Sequence, residues 1–109
     1  MIGEIWETFV FSELRKMKAR KSGMWKWNYW RDRAKEVDFV DDRGGRYRLF
    51  ECKWNQLPTQ RDSQSLIYVS EELDKTRVDD AYIIARTDHA FPLSQSVKVI
   101  PPHELDSIV

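Results

Sequence analysis

A chain of 109 residues, 41% hydrophobic and 33% charged, has the size and make-up of one globular domain with a modest core. No apolar run nears the roughly 20 residues a bilayer crossing needs and the N-terminus lacks a signal-peptide core, so a cytoplasmic domain without membrane contact is expected. Formal net charge is zero, and the single cysteine, Cys52, excludes an internal disulfide and a cysteine-built zinc site.

Taken in chain order, the first predicted element is a helix over 2–19. There Ile2, Trp6, Phe9, Val10, Leu14 and Met17 recur at helical spacing with no interrupting proline. The run Lys-Ala-Arg-Lys-Ser-Gly at 18–23 supplies a basic last turn and a glycine stop. Residues 25–31 are aromatic and partly alternating, as in a strand. Strands at 36–42 and 46–54 flank Gly44-Gly45, a pair suited to a two-residue hairpin turn that needs positive φ at both centres. An amphipathic helix is predicted over 60–75 through Leu66, Ile67, Val69, Ser70 and Leu73. A buried strand follows at 79–86, a short one at 97–100, and a final turn at His103–Leu105 after Pro101-Pro102. The order α-β-β-β-α-β-β describes a single α/β domain over residues 1–109, a mixed sheet flanked by helices.

The charge is unevenly spread. Residues 15–35 hold nine basic residues against Asp32 alone, a net of +8, so the remainder carries −8. A basic face beside an acidic region is one reading, and a solvated helix end and turn is the other.

The stretch that carries chemistry is Glu36-Val37-Asp38-Phe39-Val40 with Leu49-Phe50-Glu51-Cys52-Lys53-Trp54. If the two glycines are the turn, Arg43 opposes Arg46, Asp38 opposes Glu51 and Glu36 opposes Lys53. These four side chains then share one face, with Cβ atoms about 4.5–5.5 Å apart across each rung. Val37, Phe39, Phe50, Cys52 and Trp54 form the other, apolar face. Two carboxylates that close repel unless a proton or cation lies between them. A hard cation such as Mg²⁺ or Mn²⁺ accepts such a pair together with waters and phosphate oxygens. Lys53, pointing the same way, is suited to orienting a water or neutralising charge that develops on phosphorus. The competing reading is a solvated polar sheet face with a Glu36–Lys53 ion pair.

Asp38 followed by Glu51-Cys52-Lys53 resembles the signature of the PD-(D/E)xK nuclease superfamily. The segments Gly3-x-x-x-Glu7-x-x-Val10-x-x-Glu13-Leu14, Tyr29-Trp30-Arg31-Asp32, Glu36-Val37-Asp38-Phe39 and Phe50-Glu51-Cys52-Lys53-Trp54 are more closely similar to a particular relative. That relative is the nuclease-like domain at the C-terminus of many bacterial and archaeal AAA+-type ATPases. The resemblance implies a restriction-endonuclease-like fold, with Asp38 and Glu51 as metal ligands, Lys53 as the catalytic lysine and Glu7 completing the site. Glu7 lies about 100° around the helix from Trp6. Glu13 sits nearer the middle of the apolar stripe and stands as an alternative to it. Val37 occupies a position where the signature often has proline. No Gly-x-x-x-x-Gly-Lys-Ser/Thr loop occurs, so the ATPase module is absent and the chain is expected to be either a free-standing domain or a piece of a larger protein.

The function expected on these grounds is Mg²⁺- or Mn²⁺-dependent hydrolysis of DNA phosphodiester bonds, in branched or recombination DNA. Arg31, Arg33 and Lys35 are the candidate phosphate contacts. The alternative is a catalytically silent module recognising nucleic acid or protein for the ATPase; homodimerisation is left open by the many tryptophans. Trp25, Trp27, Tyr29 and Trp30 are read as core before base-stacking surface. Cys52 is read as an inert buried thiol, and Asp41, Asp42, Asp79 and Asp80 as turn and strand-end acids.

Overall fold

The computed structural model describes residues 2–20, 26–31 and 36–108. Helix α1 (Ile2–Arg20) is followed by β1 (Lys26–Arg31), β2 (Glu36–Arg43) and β3 (Arg46–Lys53). A 3-10 turn at Gln60–Ser63 leads into α2 (Gln64–Leu73), and a second at Lys75–Arg77 leads into β4 (Val78–Ala85). Then come β5 (Phe91–Pro92), β6 (Val97–Ile100), a 3-10 turn at Pro102–Glu104 and the short α3 (Leu105–Ile108). The six strands form one mixed sheet in the order β1-β2-β3-β4-β6-β5. β1, β2 and β3 are antiparallel neighbours, β3, β4 and β6 run parallel, and β5 returns antiparallel on the edge.

Helices cover both faces of this sheet. On one side Val10, Leu14 and Met17 of α1 pack with Phe39, Phe50, Tyr82, Ile84, Ile100 and Leu105. On the other, Leu66 and Val69 of α2 pack with Val37, Val40, Leu49, Ala81, Ile83, Ala85, Val97 and Val99. Every residue of β4 from Ala81 to Ala85 is buried, as an unbroken apolar run at the centre of a covered sheet should be. α2 is the crossover that two parallel neighbours, β3 and β4, require. Among the described residues no helix is long and apolar enough to cross a membrane.

The β2–β3 hairpin turns where the glycines stand. Gly44 and Gly45 have φ of 64° and 89°, Arg43 pairs with Arg46, and the register runs unbroken to Phe39 opposite Phe50. The N–H of Gly45 donates to Asp42 Oδ1 at 2.9 Å, which makes Asp42 the turn acid it was read as.

Four expectations need correction. The helix predicted over 60–75 begins as a 3-10 turn, because the Asp62 carboxylate accepts the Thr59 N–H at 2.8 Å and fixes the start there. It ends at Leu73, because Asp74 takes φ 83° and its carboxylate accepts the N–H of Thr76 at 3.0 Å. The edge strand β5 was not expected, being two residues long with a proline; Leu93 N–H to Val97 O at 2.9 Å closes its turn into β6. Val37 does not share a face with Phe39. Between Asn28↔Val40 and Trp30↔Val37 the β1–β2 register shifts, so Asp38 and Phe39 together span the single residue Tyr29. Such a bulge resets the alternation and carries Val37 to the α2 side with Val40.

Candidate active site at the open end of the hairpin

The bulge shapes the site. In a continued two-residue hairpin ladder the Cys52 N–H, pointing toward β2, would donate to the carbonyl of Val37. The Asp38 carboxylate takes that N–H instead, with Oδ2 at 2.8 Å. The paired rungs stop at Phe39↔Phe50, and Asp38 stands where the two strands part. Glu51 follows Phe50 in β3 and is only 6% exposed. Since Leu49 packs against α2 and Phe50 against α1, alternation aims Glu51 and the half-buried Lys53 toward the α2 side of β3. Asp38, in the bulge, lies out of that alternation, its carboxylate on the Cys52 N–H.

Cys52 reports how the acids are gathered. Its thiol packs against the α1 cluster, as its predicted apolar face required. The thiol pKa is driven far above the ordinary range, first by burial and then by the negative charges of Asp38, Glu51 and Glu7, with a hydrogen bond to Asp38 adding to the shift. The negative charge of all three acids is felt at the thiol, while the one printed contact among them is the Asp38 carboxylate on the Cys52 N–H. Cys52 stays a neutral thiol there and is no nucleophile.

The same observation separates the two candidate helix acids. Glu7 is half-buried and acts on the Cys52 thiol. Glu13 instead pairs with Lys16 at 3.6 Å and lines a cleft with Trp6, Phe9, Pro102 and His103. Of the expected phosphate contacts, Arg33 and Lys35 lie outside the described residues, and Arg31 is described only as the backbone end of β1. Glu36 is likewise described only as backbone, so the predicted Glu36–Lys53 ion pair lies outside the described side chains, as does Trp25 altogether.

Hard oxygen donors suit Mg²⁺ or Mn²⁺, and a site of one or two carboxylates completed by water and phosphate is within the range those ions accept. Asp38 and Glu51 offer that chemistry. Among the described residues no group of three or more His, Cys, Asp or Glu is arranged to hold a metal ion.

Beyond the acids lies an aromatic and basic rim that sequence reading passed over. Trp54 follows Lys53 and meets Trp6 of α1 edge-on, ring centroids 5.2 Å apart. Trp6 is fixed in turn by its indole N–H donating to the carbonyl of Ile84 at 3.1 Å. The Arg86 guanidinium lies over the Trp54 ring, 4.5 Å from its centre, and the Arg86 N–H donates to Asn55 O at 2.8 Å. Arg86 was missed because it is distant in sequence; only the parallel pairing of Lys53 with Ala85 brings it alongside.

With this geometry in hand, comparison with known proteins is informative on one point. Residues 2–105 match the family described as Domain of unknown function (DUF4143). The chain belongs to that family. DUF4143 domains are often associated with AAA ATPases, and no nuclease family is matched. No curated protein and no solved structure matches the chain.

Proposed function

We propose that this DUF4143 domain is a metal-dependent phosphodiester hydrolase acting on DNA, an endonuclease of the PD-(D/E)xK type. The observation that carries the reading is the Asp38 carboxylate held on the Cys52 N–H at the point where the β2–β3 ladder ends, with Glu51 and Lys53 on either side of Cys52 in β3. Asp38 and Glu51 would hold Mg²⁺ or Mn²⁺, and Glu7 would bias the site toward a cation by charge. When bound, the cation supplies polarisation of a phosphodiester and a water acidic enough to attack it. Lys53 stabilises the charge that builds on the phosphoryl oxygens, a role that needs a fixed cation in a site shielded from bulk water. Arg31, Arg33 and Lys35 would hold the flanking backbone of branched or recombination DNA, and an ATPase domain of a longer parent protein would deliver it, in the cytoplasm.

A second reading has its own observation in favour. Asp38 already spends one carboxylate oxygen on the Cys52 N–H, and no three-ligand group occurs among the described residues. A recognition module that keeps the fold without cleavage would look the same.

Calorimetric titration with Mn²⁺ separates the two, run on wild type, Asp38→Asn and Glu51→Gln beside cleavage of branched and linear DNA. Binding in the micromolar-to-millimolar range that both substitutions abolish, with cleavage lost in Lys53→Ala, is the expected result. Wild-type protein that binds no Mn²⁺ would sink the hydrolase reading and leave the recognition module.

A further inference from the structure

We propose that Arg86, mounted on Trp54, is a nucleic-acid phosphate-binding residue of the domain, gripping the DNA strand beside the Asp38–Glu51 centre. The inference rests on the nucleic-acid half of the reading above and needs no cleavage. Three observations carry it. First, Lys53 and Ala85 are paired neighbours in parallel strands, so Lys53 and Arg86 emerge together at the same end of β3 and β4. Ligands of open α/β sheets bind at that carboxyl end. Second, the guanidinium is exposed and yet positioned. It lies 4.5 Å over the Trp54 ring, which is braced by Trp6 at 5.2 Å, which is itself bonded to the Ile84 carbonyl at 3.1 Å. An arginine held on an aromatic ring loses less rotamer freedom on binding, and its fork matches two phosphate oxygens at once. Third, the rim reverses the local sign. Lys53, from the α2 face of β3, and Arg86, held over Trp54 beside Trp6 on the α1 side, add positive charge at the same strand end as the Asp38 and Glu51 carboxylates, which alone would repel a polyanion.

Substitution of Arg86 should not disturb the fold, because its bond to Asn55 O uses main-chain N–H. The test is anisotropy of a fluorescein-labelled forked DNA in EDTA, where neither metal nor cleavage intervenes, at several salt concentrations. Arg86→Ala should weaken binding about five- to tenfold at low salt and flatten the slope of log K against log salt by about 0.7–0.9, one phosphate contact. Arg86→Lys should restore the slope and only part of the affinity, since a lysine keeps the charge and loses the fork. Trp54→Leu should weaken binding with Arg86 intact. An Arg86→Ala protein that melts at the wild-type temperature and binds with unchanged affinity and slope overturns the proposal, as does wild-type protein that binds no DNA. Cleavage of the same DNA with Mn²⁺ is scored separately. Arg86-dependent binding without cleavage removes the hydrolase and keeps this inference; cleavage with Arg86-independent binding does the reverse.

Discussion

Taking a carboxylate and a guanidinium out of water together costs several kcal/mol per ion, recovered only if each finds the other in good geometry. Asp41, fully buried, and Arg48, whose side chain is 10% exposed, meet that condition: Arg48 Nε and Nη2 both donate to Asp41 Oδ2, at 3.0 and 2.5 Å. Removing one partner strands the other, so Asp41→Ala should lower unfolding free energy by about 3–5 kcal/mol in urea melts. Replacing both, Asp41→Leu with Arg48→Met, should cost far less; a double variant as unstable as the single one would mean that the sites do not act as a pair. The register that opposed Asp38 to Glu51 in sequence also opposed Asp41 to Arg48; the second pair forms, and the first does not, because the ladder ends at Phe39↔Phe50. Reading Asp41 as a turn acid was wrong, because register says who faces whom and says nothing of whether helix α1 covers the rung. Glu7 and Glu13 carried the same ambiguity. Helical phase places them on neighbouring faces, and only the docked sheet reveals that the charge of Glu7 acts on Cys52 while Glu13 pairs with Lys16. If Glu7 tunes the site, Glu7→Gln should weaken Mn²⁺ binding in the calorimeter while Glu13→Gln leaves it unchanged; equal effects would dismiss Glu7.

At the scale of elements, the hairpin was readable because its turn chemistry is local. Gly44 at φ 64° sits in the left-handed region, where a Cβ meets the following carbonyl. Gly44→Ala should therefore cost about 1–2 kcal/mol, and Gly44→Asn distinctly less, by thermal melts of both variants. The bulge at Asp38–Phe39 was not readable. An extra residue in β2 is defined only against β1, and nothing in Asp38-Phe39 themselves announces it. The exit of α2 is local again. Hydrogen bonds from Thr76 hold the Asp74 carboxyl below its usual pKa. A folded-state pKa lowered in this way adds stability above the unfolded value, and that stability fades as pH falls through the folded one. Asp74→Asn keeps an acceptor and loses the titration. Its unfolding free energy should fall less steeply than wild type between about pH 5 and pH 2, and parallel curves would show that Asp74 contributes nothing to the acid limb.

For the molecule as a whole, the decisive feature is that one sheet serves two cores. β3 supplies Phe50 to the α1 side and Leu49 to the α2 side, and β4 supplies Tyr82 and Ile84 to one and Ala81, Ile83 and Ala85 to the other. Neither helix layer can detach without uncovering strands the other depends on, which argues for one cooperative unit. The alternating and continuous apolar runs made this layering legible from sequence, whereas the orientation of α1 over the Asp38–Glu51 end was not, since Ile2 and Phe9 share its stripe and remain 53% and 45% exposed. The cooperative view has a direct consequence for Leu66, fully buried under α2. Leu66→Ala leaves a cavity worth about 2–5 kcal/mol on the face away from Trp6 and Trp54. Fluorescence of a variant that keeps Trp6 and Trp54 and carries phenylalanine in place of Trp25, Trp27 and Trp30, and far-ultraviolet circular dichroism, should nevertheless shift to the same lower urea midpoint. If the dichroism moves and the fluorescence stays, the α2 layer unfolds by itself. The Asp38–Glu51 end would then be bounded by one stable layer, α1, and by Glu7 as its fixed acid.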